Sequence, residues 1–262
     1  MNKLPAGFTD FKTGLETSRI RILSELIHSE DITFFTCGGN IGDYLIWEGT
    51  RQLLHQFNYK ELTHKNIADS KGHTALITGS GGWSRAHRTL PMLLPEIEKR
   101  FEKVVILPSS YDPHVGTVKR ALSETKAKVF VRELESYRMV KDLCNAELAY
   151  DCAFFFDFSP YKIQGKGTGE LRAYRTDKES AIAGKPTDNY DISNNHVVDN
   201  LDSWLRIIAQ YERICTDRAH IMVAGAMLGK TVYYTPSNYH KLPGIARFSL
   251  HQYPVYPEEK SD

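Results

Sequence analysis

Phe34–Gly49 reads FFTCGGNIGDYLIWEG, and it joins an apolar run to a helix-like segment through three glycines, an amide and a carboxylate. Glycines after a strand let the backbone approach a ligand closely, and the N–H groups that begin the next helix attract anions. The order differs from the GxGxxG motif, and no Walker lysine follows. Two interpretations stay open: Asn40 or Asp43 caps the helix, or the turn binds a ligand. A carboxylate there suits a sugar hydroxyl, a cation or a proton better than a phosphate.

Short apolar runs alternate with helical patterns through the first part of the chain. Strands without polar alternation are covered on both faces, so the pattern predicts an α/β fold with a parallel sheet. Ligands of such sheets bind beyond the carboxyl ends of the strands. The predicted strands are Ile32–Thr36, Thr74–Gly79, Lys103–Ser110, Ala127–Leu134 and Asp151–Phe158.

The amino-acid composition changes between Ser159 and Asn195, where Gly, Lys, Asp and Asn are frequent and apolar core residues are few. This segment indicates a domain boundary or a mobile loop. A second, shorter series follows it, with helices over 200–211 and 218–228, strands over 213–217 and 230–237, and a helix starting at Tyr239. We therefore expect an N-terminal domain over 1–160 and a small C-terminal domain over 161–262.

Composition excludes several classes of protein. The 262 residues carry a formal net charge of +1, with 41% hydrophobic and 25% charged residues, and the basic residues do not gather in one stripe. This balance argues against a nucleic-acid partner. Four dispersed cysteines without a CxxC pair favour neither a zinc site nor a disulfide framework. The N-terminus lacks an apolar signal region and no run approaches a membrane span, so we expect a cytoplasmic protein with reduced thiols.

A second glycine-rich turn, TGSGGWSRAH, follows the second predicted strand at Thr78–His87. Gly82 opens the backbone, Trp83 offers a flat face of the kind that stacks on sugars, and Arg85 adds positive charge. The alternative is a solvated basic turn with Trp83 half buried. Two such turns at one sheet edge favour a ligand site more than either turn alone.

The segment CTDRAHIMVAGAMLGKTVYYTPSNYHK, Cys215–Lys241, carries the most chemical information. A strand ends at Thr216-Asp217, and an apolar helix begins with Arg218 and His220. The arginine fork and the helix N-terminus both suit a phosphate or a carboxylate, and histidine can act as a general acid or base near neutral pH. The alternative is that His220 is a cap or a solvated side chain.

Several motifs together resemble the polysaccharide pyruvyl transferases. They occur in the family's order as GGNIGD with the following Trp, Gly and Leu-Leu, then ITGSGGW, ILPSS, VRELESY, AYDCAFFF and TDRAHIMVAGAMLGKTV. The resemblance runs from about Phe34 to Leu250, with Ala219 standing where the family commonly has leucine. It implies a GT-B-like fold of two Rossmann-like domains facing a cleft. It also implies transfer of a pyruvyl group from phosphoenolpyruvate to two sugar hydroxyls as a ketal, without a metal or a cofactor.

The resemblance also implies roles for individual residues. Arg218 would bind the phosphate or carboxylate of the donor, and His220 would protonate the enol carbon or assist the departure of phosphate. Asp43 faces the acceptor sugar as a base toward a hydroxyl. Phosphoenolpyruvate carries about three negative charges, which three cations would match. The expected donor-binding residues are Thr216, Arg175, Arg218 and Lys241, and the expected acceptor-binding residues are Gly39, Asn40, Asp43, Gly82, Trp83 and Arg85.

Two other functions fit the same features. A GT-B-like glycosyltransferase would place Arg218 and His220 at the phosphates of a nucleotide sugar, and an inactive glycan-binding protein would keep the fold alone. For the pyruvyl transferase we expect a sugar or lipid-linked oligosaccharide acceptor in cell-surface polysaccharide synthesis. Such an acceptor allows peripheral association with the inner face of the membrane. The sequence also allows a homo-oligomer.

Overall fold

A computed structural model describes residues 4–177, 179–180, 182, 184–194, 196–237 and 239–259. Positions 178, 181, 183 and 195 of the predicted loop therefore lie outside the described residues. The chain divides into two compact units. The N-terminal unit comprises Met1–Gly38 and Ile46–Phe155, and the C-terminal unit comprises Gly39–Leu45 and Phe156–Asp262.

Helices and strands alternate through most of the described chain. The strands are β1 (Ile32–Thr36), β2 (Tyr59–Thr63), β3 (Gly72–Ile77), β4 (Phe101–Ser109), β5 (Lys128–Val131), β6 (Asn145–Leu148), β7 (Glu170–Ala173), β8 (Arg213–Thr216), β9 (Thr231–Tyr234) and β10 (Val255–Pro257). The α-helices are α1 (Phe11–Ser24), α2 (Ile41–Leu53), α3 (Thr89–Arg100), α4 (Gly116–Glu124), α5 (Leu134–Val140), α6 (Leu201–Gln210), α7 (Ala219–Met227) and α8 (Lys241–Phe248). Short 3-10 helices cover His64–Asp69, Cys152–Phe155 and Ser159–Tyr161.

The N-terminal unit is built on a six-stranded sheet in the order β2-β1-β3-β4-β5-β6, with parallel pairing throughout. All five residues of β1 are buried, as expected for a strand covered on both faces. The chain reverses its direction of progress across the sheet between β1 and β3. Such a switch point leaves a crevice beyond the carboxyl ends of the two strands.

The C-terminal unit contains a four-stranded sheet in the order β10-β9-β8-β7, also parallel at each pairing. The register aligns Ala173 with Thr216 and Thr216 with Tyr234, so β7, β8 and β9 end at one level. The predicted α/β class with parallel sheets is confirmed. The GT-B-like arrangement of the two units stays a prediction.

The predicted fifth strand, Asp151–Phe158, is wrong. The strand at this edge is β6, and Cys152–Phe155 is a buried 3-10 helix. Asp151 starts that turn because its Oδ1 accepts a hydrogen bond from Ala153 N at 2.9 Å, while its Oδ2 pairs with Arg132 at 2.7 Å. The run is apolar because it packs inside the unit: a Cβ at Gly49 of α2 would lie 2.0 Å from Cys152 O.

The division into units differs from the expected boundary after residue 160 at two places. The C-terminal unit begins at Phe156, and it also includes Gly39–Leu45 from the start of α2. The glycine-rich turn therefore belongs with the later part of the chain. The interval taken as a boundary or loop also contains β7, which pairs with β8.

Candidate active site

The carboxyl ends of β7 and β8 bring two of the predicted donor-binding cations to one edge of the C-terminal sheet. Arg175 lies two residues after the last residue of β7, and Arg218 lies two residues after that of β8. Lys241, the third predicted cation, begins α8. Exposed fractions are 4% for Arg175 and 6% for both Arg218 and Lys241, so all three charges need partners close by.

Thr216 fixes this edge of the sheet. Its hydroxyl donates to Ala173 O at 2.8 Å and accepts from Arg218 N at 3.0 Å. The side chain thus ties the end of β8 to β7 and holds the residue that precedes α7. The structure gives Thr216 this positioning role, and its expected contact with a donor stays a prediction.

Arg218 makes a bidentate ion pair. Its Nε and Nη2 donate to the two carboxylate oxygens of Asp191, each at 2.6 Å, and Nη2 also lies 3.2 Å from Asp177 Oδ2. Asp191 is held in turn by Thr176, whose N and Oγ1 donate to its Oδ2 at 2.8 and 2.9 Å. Both carboxylates therefore approach Arg218 on the Nε/Nη2 edge of the guanidinium.

Arg175 and Lys241 share carboxylates from the segment that follows β7. Arg175 Nε lies 2.9 Å from Asp177 Oδ1, and the Nη1 of Arg175 forms an ion pair with Glu179. Glu179 also lies 3.7 Å from Lys241 Nζ. Three cations thus meet three acidic side chains, Asp177, Glu179 and Asp191, which sequence analysis did not assign to the site.

Two pKa shifts describe the electrostatics of this cluster. Burial raises the pKa of Asp177, but the hydrogen bond and the charge of Arg175 outweigh that effect, so the pKa lies below the usual 3.8. Burial dominates at Asp217 and raises its pKa, although Arg175 N donates to its Oδ1 at 2.7 Å. Within the described residues the Oδ2 of Asp217 is buried without a hydrogen-bond partner. The cluster therefore favours the ionised form of Asp177, whereas burial disfavours ionisation of Asp217.

His220 lies in the first turn of α7 beside the first turn of α2. Its Nδ1 is 3.9 Å from Asp43 Oδ1, an ion-pair distance longer than a hydrogen bond, and its side chain is 10% exposed. Sequence analysis gave the two residues separate roles on donor and acceptor sides. The structure brings them together within the C-terminal unit.

The glycine-rich turn is a helix cap. Asn40 Oδ1 accepts from Gly42 N, and Asp43 Oδ2 accepts from Asn40 N, both at 2.9 Å, which is the reciprocal arrangement of a capping box. A Cβ at Gly39 would lie 2.2 Å from Asp43 Oδ2, and one at Gly42 would lie 2.9 Å from His220 Cβ. These glycines make room for the Asp43 carboxylate and the His220 side chain. The cap interpretation is confirmed, and the cap also places a carboxylate beside the histidine.

The other predicted acceptor residues belong to the N-terminal unit. Gly82 N donates to Ser80 Oγ at 2.9 Å in the turn after β3, and Arg85 is exposed. Trp83 is completely buried, and its ring lies 5.3 Å from that of Tyr111. The prediction that Trp83 presents a face to sugars is wrong, because its ring is buried in a hydrophobic core of the N-terminal unit.

A pattern in the sequence could have revealed the missed carboxylates. Asp177 and Glu179 follow Arg175 at spacings of two and four residues, immediately after a strand. Buried arginines require counterions, so acidic residues this close in sequence to a candidate anion site are expected partners. Asp191 lies 27 residues before Arg218 and carries no comparable local signal.

Neither a metal cluster nor a membrane span is found in the described part of the chain. No group of three or more His, Cys, Asp or Glu side chains there could hold a metal ion. No helix there combines the length and apolar character that crossing a bilayer requires.

Comparison with known proteins identifies the family. Residues 40–238 match the family model described as polysaccharide pyruvyl transferase. The fold resembles the crystal structure of a functionally uncharacterised protein from Klebsiella pneumoniae subsp. pneumoniae, with a TM-score of 0.75 and 21% identity over 94% of this chain and 99% of that chain. No curated protein matches the sequence. Because the family model spans most of the chain, the chain belongs to the polysaccharide pyruvyl transferase family.

Proposed function

We propose that this protein transfers a pyruvyl group from phosphoenolpyruvate to two hydroxyls of a sugar in a cell-surface polysaccharide or its lipid-linked precursor. The observation that carries the proposal is the cluster of three buried cations at one edge of the C-terminal sheet, in a chain of this family. A small donor with about three negative charges would pair with these cations in place of the carboxylates that now balance them, Asp177, Glu179 and Asp191. The protein acts in the cytoplasm, at the membrane face when the acceptor is lipid-linked.

The donor would bind the cations partly through the edge of Arg218 that the carboxylates do not engage and partly by displacing Glu179. The Nε/Nη2 edge of Arg218 is engaged by Asp191, so the donor takes the Nη1 side of the same guanidinium. Arg175 and Lys241 bind the donor where Glu179 now lies between them. Glu179 would give up its ion pairs with Arg175 and Lys241 as the donor enters.

The proposed reaction moves protons between the sugar hydroxyls and the donor, and His220 and Asp43 would carry them. The methylene carbon of phosphoenolpyruvate gains a proton, and the two sugar hydroxyls add in turn to the neighbouring carbon. Their oxygens form the two new C–O bonds, and the bond to phosphate breaks. One hydroxyl proton replaces the proton donated to the methylene carbon, and the other leaves with inorganic phosphate. His220 delivers the first proton, and Asp43, which lies 3.9 Å from it, accepts a hydroxyl proton.

The donor screen tests this function. Phosphoenolpyruvate should raise the melting temperature, because a ligand that binds only the folded state stabilises it. UDP, GDP and CMP should leave the melting temperature unchanged. A rise with a nucleotide and none with phosphoenolpyruvate would replace the proposal by a glycosyltransferase. Binding of an oligosaccharide, without any response to a donor, would indicate an inactive glycan-binding protein.

A further inference from the structure

The two faces of the C-terminal sheet differ in character. On one face, Leu171, Ile214 and Val232 are buried, with exposed fractions of 2% or less. Alternate residues of the same strands point to the opposite face. There Arg213 is exposed, and Glu170, Arg172 and Tyr233 are half-buried. Parallel sheets are normally covered on both faces, so an accessible face on this sheet calls for a function.

Aromatic rings lie side by side on the accessible face. The register pairs Tyr256 of β10 with Tyr233 of β9, and Tyr233 with Cys215 of β8. The two tyrosine rings are 6.0 Å apart at 40°, and Tyr256 is 50% exposed. The Arg213 guanidinium covers one side of this platform, 5.2 Å from the centre of the Tyr233 ring. The result is a surface of two tilted rings, with the Arg213 guanidinium over Tyr233 and the half-exposed ring of Tyr256 beside it.

Polar side chains around the platform are paired with one another. Glu170 forms ion pairs with Arg172 at 2.9 Å and with Arg213 at 3.3 Å. Glu258 accepts hydrogen bonds from the hydroxyls of Tyr174 and Thr235. These groups supply the planar donors and acceptors that the hydroxyls of a sugar could meet.

We propose that this face is a binding site for a neutral oligosaccharide, separate from the donor-binding cations. An open depression of about 860 Å³ lies over the platform. Its lining combines the rings of Tyr233 and Tyr256 with the arginine and glutamate groups just described. A pyranose ring has a C–H face that packs on an aromatic ring and a rim of hydroxyls that needs donors and acceptors in its own plane.

The charges on this face argue against a polyanionic ligand. Its lining holds two arginines, Arg172 and Arg213, and three glutamates, Glu170, Glu258 and Glu259, and Arg172 also pairs with Asp188 at 3.1 Å. A polyanion would gain no net attraction from this lining, whereas a neutral glycan is not repelled. The inference does not rest on the proposed reaction, because the site uses none of the residues assigned to the donor.

Affinity electrophoresis tests the inference on the full chain without phosphoenolpyruvate. Native gels containing dextran, galactomannan or xyloglucan should retard the wild-type protein in at least one case. Tyr256→Ala should weaken binding roughly fivefold, since one aromatic contact contributes about 1 kcal/mol and 1.4 kcal/mol corresponds to tenfold. Tyr256→Phe should keep it, because the ring is retained. Tyr59→Ala on β2 of the other unit is the matched control and should behave as wild type.

Three results would overturn the proposal. These are no retardation by any of the three polymers, equal loss of retardation in Tyr256→Ala and Tyr59→Ala, and retardation by heparin alone. Sedimentation of the same variants tests whether a second copy of the chain binds this face instead. If the wild-type protein is a dimer and Tyr256→Ala dissociates it, the face is a self-association surface. A melting temperature of Tyr256→Ala near that of wild type verifies that the variant is folded, as expected for a half-exposed side chain.

Discussion

Replacement of Glu179 by glutamine removes an internal anion from the cation cluster and keeps the size of the side chain. Glu179 is 7% exposed and pairs with both Arg175 and Lys241, at 3.7 Å from the latter. A unit charge pair near 4 Å interacts with about 1 kcal/mol in water and about 4 kcal/mol at an effective dielectric constant of 20. A donor that takes this place competes with that interaction. We expect Glu179→Gln to bind phosphoenolpyruvate at least about tenfold more tightly, the equivalent of 1.4 kcal/mol.

Two readouts separate competition from a simple loss of stability. Without donor, Glu179→Gln should melt below wild type, because two buried cations lose a counterion. With saturating phosphoenolpyruvate the difference should shrink or reverse, since the donor supplies the missing negative charge. Calorimetric titration measures the affinity directly. Asp202→Asn is the matched control, because it removes one carboxylate from an exposed pair with Arg206 elsewhere in the same unit. Unchanged or weaker donor binding in Glu179→Gln, or an equal gain in Asp202→Asn, would refute the competition.

Three further outcomes follow from packing and charge. Gly49→Ala should destabilise the protein by about 3 kcal/mol or more in urea melts, since its Cβ would lie 2.0 Å from Cys152 O, whereas Gly116→Ala, with nothing within 4 Å, should gain about 0.5–1 kcal/mol. A stable Gly49→Ala would contradict the packing. Asp217→Asn should raise the free energy of unfolding near neutral pH. Because the folded protein raises the pKa of Asp217, the wild-type protein loses stability as the pH rises above 3.8, and the variant does not. The two proteins should therefore have similar stability in acid, and a constant difference from pH 3 to 7 would contradict this. His220→Ala should abolish pyruvyl transfer while circular dichroism stays that of a folded chain, and wild-type turnover would remove the histidine from the mechanism.

The sequence predicted those elements whose pattern is local. Ile32–Thr36 was predicted as a strand with the observed bounds, because five consecutive apolar or β-branched residues are typical of a strand buried on both faces. Asp151–Phe158 has the same apolar character and is not a strand, since burial of a run does not specify its backbone conformation. The hydrogen bond from Ala153 N to Asp151 favours a 3-10 helix over a strand here, and the apolar composition of the run does not reveal it.

The cations of the candidate site were predictable from the sequence, and the spacing to Arg175 could have indicated Asp177 and Glu179 as well, whereas Asp191 could not have been found in this way. Arg175 and Arg218 follow strands that end at one level, so parallel topology alone brings them to one edge. Asp191 reaches Arg218 across 27 residues of chain, and no spacing rule links them. The role of Asp43 required the structure for the same reason. Its place in the cap was readable from Asn40–Asp43, whereas its approach to His220 depends on how α2 and α7 pack.

Calorimetric titration of phosphoenolpyruvate into wild type and Arg218→Gln tests the central claim most directly. Arg218 presents its Nε and Nη2 to Asp191 and is proposed to hold the donor through Nη1. Asp191→Asn, which removes its counterion, serves as the second variant and verifies that the pair itself is not the cause. We expect saturable binding of phosphoenolpyruvate to wild type and to Asp191→Asn, and a loss of about a hundredfold or more in Arg218→Gln, because a charge-assisted contact contributes about 3 kcal/mol. Saturable binding of UDP, GDP or CMP without binding of phosphoenolpyruvate, or equal binding by wild type and Arg218→Gln, would contradict it.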